Sequence, residues 1–215
     1  MLTHARRSTI SILIGLVLLI RASVTAGGDA GWTSAGTKNG VTLAFRDDSL
    51  LAAREVRATT ELPFPAARIL SVVCDLSHYE LVPGVTEATL IEGSPVDYEI
   101  YLRYAPRFLV VAARDVVLRV RGDSDEPGSA GCSWAEVTGR LAERKGTVRM
   151  PLLRGKWRLE PLDAGRSRVM YQIVVNPGGR IPGWLVRRGA VQALPEVIEN
   201  VRERLRRIHS AASTG

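Results

Sequence analysis

The sequence predicts an α+β fold in which a curved antiparallel β-sheet packs against one long C-terminal α-helix. Between about residues 41 and 176, short segments of alternating apolar and polar residues follow one another with a single helical interruption. Successive strands without intervening helices favour antiparallel pairing. From residue 191, apolar side chains recur every three or four residues, which is typical of one face of a helix. With a single sheet available, this face is predicted to pack across the concave side of the sheet.

The first 26 residues have the layout of a secretory signal peptide. Arg6 and Arg7 precede an apolar run over 10–20, and small residues lead to Ala26, the predicted cleavage position. As a helix the run spans roughly 16 Å, which is short of the roughly 30 Å hydrocarbon core of a bilayer. We therefore predict export to the periplasm or the medium, and an uncleaved anchor is the alternative. The remaining chain is divided into a flexible N-terminus at 27–31, one folded domain at 32–209 and a flexible tail at 210–215.

Composition excludes several classes of protein. The chain has 215 residues, of which 46% are hydrophobic and 24% are charged, and this excludes a disordered chain or a collagen-like fibre. Removing residues 1–26 removes three arginines and no acid, so the formal net charge falls from +7 to +4. Because the basic residues do not cluster in one stripe, no nucleic-acid partner is predicted. In an oxidising compartment Cys74 and Cys132 could pair, but two independent buried thiols are the favoured prediction.

The elements can be placed in order along the chain. Alternation predicts strands within 41–45, 51–62, 85–93, 98–104, 111–121, 132–142, 147–160 and 167–176. Pro65 suits the first position of a helix that runs to about Asp75, and 122–131 form a turn-rich polar loop. Pro195 is predicted to kink the C-terminal helix or to begin a new one. The apolar stripe of that helix contains Val191, Leu194, Ile198, Val201, Leu205 and Ile208.

A sheet curled around one straight helix leaves space between them, and such a space suits a hydrophobic small molecule. Arg114 shares its strand phase with Val116, Leu118 and Val120, the predicted inward face. An inward arginine must be paired or must meet the polar head of a ligand. An ion pair with a neighbouring acidic residue is the competing interpretation.

Motifs for catalysis and for cofactors are missing. After residue 26 the only histidines are His78 and His209, and no zinc, nucleophile-elbow or P-loop pattern occurs. No catalytic residue, metal site or cofactor is therefore predicted.

Several short motifs resemble START domains, the steroidogenic acute regulatory protein-related lipid-transfer modules of the wider Bet v 1-like, polyketide-cyclase-like superfamily. The resemblance covers about residues 32–209. Within the superfamily, the chain resembles the bacterial exported branch. The motifs are Arg114-Asp115-Val116-Val117, Lys145-Gly146, Gly155-Lys156-Trp157-Arg158-Leu159-Glu160-Pro161, Tyr171, Asn176-Pro177-Gly178-Gly179 and Ile181-Pro182-Gly183-Trp184-Leu185.

The resemblance implies a helix-grip fold with a lipid-sized tunnel, gated by the 122–131 loop and the C-terminal helix. Animal sterol carriers of the family have an inward basic residue where this chain has Val120, so sterol specificity is not implied.

From these arguments we predict non-covalent binding, and possible transfer, of a lipid or other hydrophobic molecule by a monomer. The predicted ligand-binding residues are Tyr98, Ile100, Leu102, Tyr104, Arg114, Val116, Leu118, Val120, Trp134, Val191, Leu194 and Ile198. The predicted gate and hinge residues are Gly122, Asp123, Gly128, Pro177, Gly178, Gly179 and Pro182. The residues predicted to contact a membrane transiently are Trp184, Leu185, Arg187 and Arg188.

Two other functions stay open at this point. One is a cyclase or dehydratase acting on a hydrophobic substrate, with Arg114, Tyr98, Tyr104 and Glu136 as candidate residues. The other is a protein-interaction module whose core is completely filled.

Overall fold

A single sheet and two helices form the described part of this protein, for which we analysed a computed structural model. The structure describes residues 31–48, 53–75, 81–105, 112–123 and 129–213. The strands are β1 (Thr33–Lys38), β2 (Val41–Asp48), β3 (Ala53–Leu62), β4 (Val85–Ser94), β5 (Asp97–Tyr104), β6 (Ala113–Asp123), β7 (Ala130–Glu136), β8 (Thr147–Arg149), β9 (Leu152–Pro161) and β10 (Ser167–Asn176). The helices are α1 (Ala66–Val73) and α2 (Gly183–Ser213). The predicted signal peptide lies outside the described residues.

The predicted antiparallel sheet is confirmed. Its strands lie in the order β1-β2-β3-β10-β9-β7-β6-β5-β4, and every neighbouring pair in this order is antiparallel. Only β8 lies off this path, where it pairs in parallel with the start of β6. The sheet has two edges, and both edge strands contain irregularities: one in β1 between Ser34 and Gly36, and two in β4.

The apolar stripe predicted for the C-terminal helix is also confirmed. Leu194, Ile198, Val201 and Leu205 are no more than 2% exposed, and Val191 and Ile208 pack against the same core while partly exposed. Helix α2 contacts β2, β3 and α1.

Three element boundaries differ from the prediction. The predicted strand at 147–160 is two strands, β8 and β9, because Pro151 between them has no N–H to donate to a ladder. The strand predicted to reach residue 142 ends at Glu136. Helix α2 begins at Gly183 and continues through the buried Pro195 to Ser213, so Pro195 does not begin a new helix and the first residues of the predicted flexible tail are helical.

The prediction of two free thiols is wrong, because Cys74 and Cys132 form a disulfide. Cys74 follows the last residue of α1, and Cys132 lies in β7. Packing of α1 against β7 brings their Cα atoms to 5.8 Å, which is within the range that a disulfide spans. The bond therefore fixes the C-terminal end of α1 to the sheet.

Candidate functional site

A cavity of about 280 Å³ lies between the N-terminal half of α2 and the ends of β5, β6, β9 and β10. Its lining is apolar apart from a few polar side chains. The lining residues are Val82, Pro83, Tyr104, Ala105, Ala112, Arg114, Met150, Leu153, Tyr171, Ile173, Val175, Pro177, Ile181, Ala193, Leu194 and Val197. A second chamber of about 50 Å³ shares Val82, Tyr104, Leu153, Tyr171, Ile173 and Val197 with it, and extends inward to Leu102, Leu118, Trp134 and Trp157.

The pleat of the sheet aims these side chains inward. In the β5–β6 ladder Tyr104 lies opposite Arg114, and Ile100 lies opposite Leu118. Residues in direct register share one face of an antiparallel pair, so the alternation that predicts an inward Leu118 also brings Arg114 to the cavity. The same alternation in β10 brings Tyr171 and Ile173 there, although neither was in the predicted ligand-binding set.

Arg114 is the buried charge of this cavity, with 9% of its surface exposed. Its Nη1 donates to the carbonyl oxygen of Ala112, and its Nη2 makes a long 3.4 Å contact with the carbonyl oxygen of Gly178. Its Nε is buried and has no hydrogen-bond partner. Burial lowers the pKa of Arg114 from its usual value, but a guanidinium group still keeps its charge at neutral pH.

No carboxylate among the described residues pairs with Arg114. The adjacent Asp115 is 1% exposed on the opposite face of the strand, where Nε of Arg149 donates to its Oδ1 at 2.7 Å. The hydroxyl of Tyr101 donates to Oδ2 of the same carboxylate at 3.2 Å. The ion pair considered as the alternative for Arg114 is thus formed by a different arginine, and the charge in the cavity is left for another partner.

Two phenols border the cavity beside Arg114. Tyr104 and Tyr171 both line it, and within the described residues neither hydroxyl has a hydrogen-bond partner. Burial raises the pKa of both phenols, so both are protonated at neutral pH and able to donate. Tyr171 stacks on Trp157, with ring centroids 4.3 Å apart, and on Trp134 at 5.9 Å. These rings form an aromatic wall behind the polar groups.

The predicted ligand-binding residues divide into three groups. Those that line the two connected spaces are Leu102, Tyr104, Arg114, Leu118, Trp134 and Leu194. Val116, Val191 and Ile198 instead pack in the core and line neither space. Tyr98, Ile100 and Val120 line a separate groove of about 630 Å³ between α1 and the β4–β5 turn. The hydroxyl of Tyr98 donates to the carbonyl oxygen of Cys74, which fixes it on that side.

The predicted gate residues lie at the far end of β6 or outside the described residues. Gly122 lies at the far end of β6 from Arg114, where it lines the separate groove. Gly128 and the side chain of Asp123 lie outside the described residues. A gating role for the 122–131 loop therefore stays a prediction.

The predicted hinge residues at 177–182 do lie at the cavity. Pro177 lines it, and the exposed Pro182 immediately precedes α2. Gly178 and Gly179 have φ values of 66° and 70°, a left-handed conformation that favours glycine. A Cβ on Gly179 would lie 3.4 Å from Nη2 of Arg114, so a side chain here would crowd the guanidinium group.

The predicted membrane-contact residues lie at the start of α2, shortly after Ile181, which lines the cavity. Trp184 is 60% exposed and Arg188 is exposed, whereas the side chains of Leu185 and Arg187 lie outside the described part of the structure. Among the described helices, none is long and apolar enough to cross a bilayer. The described residues also contain no group of three or more His, Cys, Asp or Glu side chains that could hold a metal ion.

Comparison with known sequences gives limited information. No family model matches the chain. An uncharacterized protein of Pseudomonas aeruginosa is 34% identical over 92 residues, which are 43% of this chain and 46% of that protein. The matched segment thus spans about half the length of this relative.

Comparison with solved structures identifies the fold. A STAR-related lipid transfer protein from Xanthomonas axonopodis is 28% identical, with a TM-score of 0.73 over 82% of this chain and 99% of that one. Human StAR-related lipid transfer protein 5 has a TM-score of 0.74 at 16% identity, over 84% and 88% of the two chains. A Streptomyces aromatase/cyclase has a TM-score of 0.54 at 16% identity, over 72% and 94%. The chain therefore has the helix-grip fold of START domains, as the resemblance of its sequence predicted.

Proposed function

We propose that this protein binds a hydrophobic small molecule with a polar head group in the Arg114 cavity, and carries it without covalent chemistry. The observation that supports this most directly is a buried guanidinium group, without a carboxylate partner among the described residues, at the edge of an apolar cavity. A buried charge is costly unless it is paired, so a ligand that supplies the partner is stabilised there. Similarity to lipid transfer proteins supports the same class of ligand.

Filling the cavity should abolish binding. Ala193 lines the cavity on α2, whereas the adjacent Gln192 is exposed. We expect Ala193→Trp to lose the ligand that copurifies with the wild-type protein, because the indole ring occupies its space. Gln192→Trp, the matched control, should keep it. The measurement is mass spectrometry of organic extracts of natively purified proteins, with thermal denaturation to verify folding.

Two results would contradict the proposal. One is wild-type protein that is reproducibly empty and takes up no lipid from vesicles. The other is an Ala193→Trp variant that is folded and still carries as much ligand as the Gln192→Trp variant.

We further propose that the start of α2 touches a membrane while ligand enters or leaves. Trp184 is 60% exposed and follows Ile181, which lines the cavity, by three residues, and the exposed Arg180 and Arg188 provide positive charge near it in the chain. Tryptophan is favoured at the membrane–water interface, and basic residues are attracted to anionic lipids. The N-terminal end of α2 thus combines an apolar anchor with charge of the right sign.

Trp184→Ser should lower the fraction of protein that cosediments with phosphatidylglycerol vesicles several-fold, because the indole contributes apolar area to the interface. Leu90→Ser is the matched control, since Leu90 is 62% exposed elsewhere on the sheet. Equal losses in the two variants, or none in either, would contradict a specific contact at α2.

Export is also a proposal, and the Cys74–Cys132 disulfide supports it, since such bonds persist in oxidising compartments. Intact-mass measurement on protein from the cell envelope tests it. A chain lacking residues 1–26 with an oxidised cysteine pair supports export. A full-length chain with reduced cysteines in the cytoplasm contradicts it.

An enzyme of the cyclase or dehydratase type is the second candidate. The free hydroxyl groups of Tyr104 and Tyr171 in the cavity, and a fold shared with an aromatase/cyclase, favour it. The other candidate residues fit less well: Tyr98 faces the separate groove, and Glu136 binds Arg154 and the backbone N–H of Leu153. Release of bound ligand in a chemically changed form would favour this candidate over a carrier.

A further inference from the structure

We propose that the cavity selects an amphiphilic carboxylate, whose carboxylate group binds the Nε–Nη2 edge of Arg114. This inference rests on the proposed function and names the class of ligand for the same cavity. The apolar part of the ligand is an acyl chain or a fused ring.

The hydrogen bonds of Arg114 leave one edge of its guanidinium group available. Nη1, on the opposite side, donates to the carbonyl oxygen of Ala112. Within the described residues, Nε is buried without a hydrogen-bond partner, and Nη2 makes one long hydrogen bond, to the carbonyl oxygen of Gly178 at 3.4 Å. An acceptor with two oxygens in one plane would satisfy both Nε and Nη2 together.

Other arginines of this protein show which group that edge binds. Nε and Nη2 of Arg119 donate to the two carboxylate oxygens of Asp97 at 2.8 and 2.9 Å. The same two atoms of Arg54 donate to the oxygens of Asp47 at the same distances. Among the described residues, the same edge of Arg114 has no carboxylate partner, and Arg114 lines a cavity. A ligand carboxylate there would accept the same two hydrogen bonds that the aspartates accept on the surface.

Tyr104 adds a second polar contact for the head group. It lies directly opposite Arg114 in the β5–β6 ladder and lines the same cavity, and its hydroxyl has no partner among the described residues. Neutral phenol and guanidinium are both donors, and a carboxylate only accepts. The head of the cavity is therefore complementary to an anion, whereas the guanidinium group would repel an ammonium head group.

The cavity has room for an apolar body next to Arg114. A water molecule takes up about 30 Å³ in the liquid, and a methylene group is of similar size. A cavity of about 280 Å³ with an adjacent chamber of about 50 Å³ thus holds an apolar body of at least about ten heavy atoms. A single ten-carbon chain therefore fits this space and serves as a probe.

The test is isothermal titration calorimetry of protein freed of copurified ligand, with decanoate, decan-1-ol and decyl phosphate as probes. We expect decanoate to bind about ten to a hundred times more tightly than decan-1-ol, the range for hydrogen bonds to a charged group. Arg114→Leu should remove this preference, because leucine has no donor for the carboxylate group. Arg114→Lys, which keeps the charge without the two-pronged edge, should retain only part of it.

Arg180→Leu is the control, because Arg180 is exposed, precedes the cavity residue Ile181 and does not itself line the cavity. It should keep the full preference for decanoate, and thermal denaturation verifies that each variant is folded. Titration with 1-naphthylacetate distinguishes a fused ring from an acyl chain as the apolar part of the ligand. Tighter binding of 1-naphthylacetate than of decanoate indicates a ring, and weaker binding indicates a chain.

Three results overturn the inference while leaving the proposed function intact: equal affinity for decanoate and decan-1-ol, a preference for decanoate that survives in Arg114→Leu, or tighter binding of decyl phosphate than of decanoate. Failure of every probe to bind, together with the absence of any copurified ligand, overturns the proposed function and the inference together.

Discussion

Replacing Cys74 and Cys132 together by alanine is expected to lower the free energy of unfolding by about 4 kcal/mol. The disulfide joins residues 58 positions apart, and closing a loop of this length removes much conformational freedom from the unfolded chain. For a domain of 150 to 250 residues, this loss corresponds to a fall in Tm of roughly 8–16 °C. Alanine is preferred to serine because Cys132 is 1% exposed, and a buried hydroxyl would need a partner.

Urea and thermal denaturation of the double variant measure this effect. The control is wild-type protein in the presence of a reductant, which should be destabilised to a similar extent while its sequence is unchanged. If the free energy of unfolding of the double variant lies within about 1 kcal/mol of that of the oxidised wild type, the disulfide contributes little to stability. Its attachment of α1 to the sheet would then not be what stabilises the fold.

The second large effect is expected for Gly155→Ala in β9. The added Cβ would lie 2.4 Å from Cζ2 of Trp134 and 2.6 Å from the carbonyl oxygen of Gln172, far inside van der Waals contact. Trp134 cannot simply move away, because it stacks on Tyr171, which in turn stacks on Trp157. We expect a loss of about 3 kcal/mol, at the upper end for overpacking. Ligand binding should also weaken, because these rings form the wall of the cavity.

Gly165→Ala is the matched control for this substitution. Gly165 lies in the exposed turn between β9 and β10, and its added Cβ would have one neighbour, Oδ1 of Asp163 at 3.8 Å. We expect denaturation curves of this variant to stay close to those of the wild type. If Gly155→Ala is equally mild, the aromatic wall is more adaptable than its packing indicates.

Local periodicity was sufficient to predict which side chains point inward. Alternation aimed Tyr104, Arg114 and Leu118 at the interior, and the three-and-four spacing of α2 identified Leu194 as a core residue. Both patterns depend only on the geometry of a strand or a helix, so they are readable from a short stretch of sequence. The family motifs added the sheet-and-helix architecture.

Long-range geometry was not predictable in the same way. The distance between Cys74 and Cys132 depends on how α1 packs on β7, and no local sequence pattern predicts this packing. The position of the cavity along the sheet depends on which end of β6 the start of α2 approaches, and no short stretch of sequence specifies this. Alternation also cannot tell a residue beside a void from one in solid packing, which is why Val116 and Ile198 were assigned to the ligand site.

The irregular edge strands have a consequence for the behaviour of the chain among its own copies. In β1 the register shifts between Ser34 and Gly36, and β4 shifts at both of its irregularities, next to Glu87 and Glu92. Extra residues of this kind interrupt the row of backbone donors and acceptors that an approaching strand would need. Neither border of the sheet thus offers a continuous template for addition of a neighbouring molecule, and intermolecular strand pairing, a common route to aggregation, is disfavoured at both.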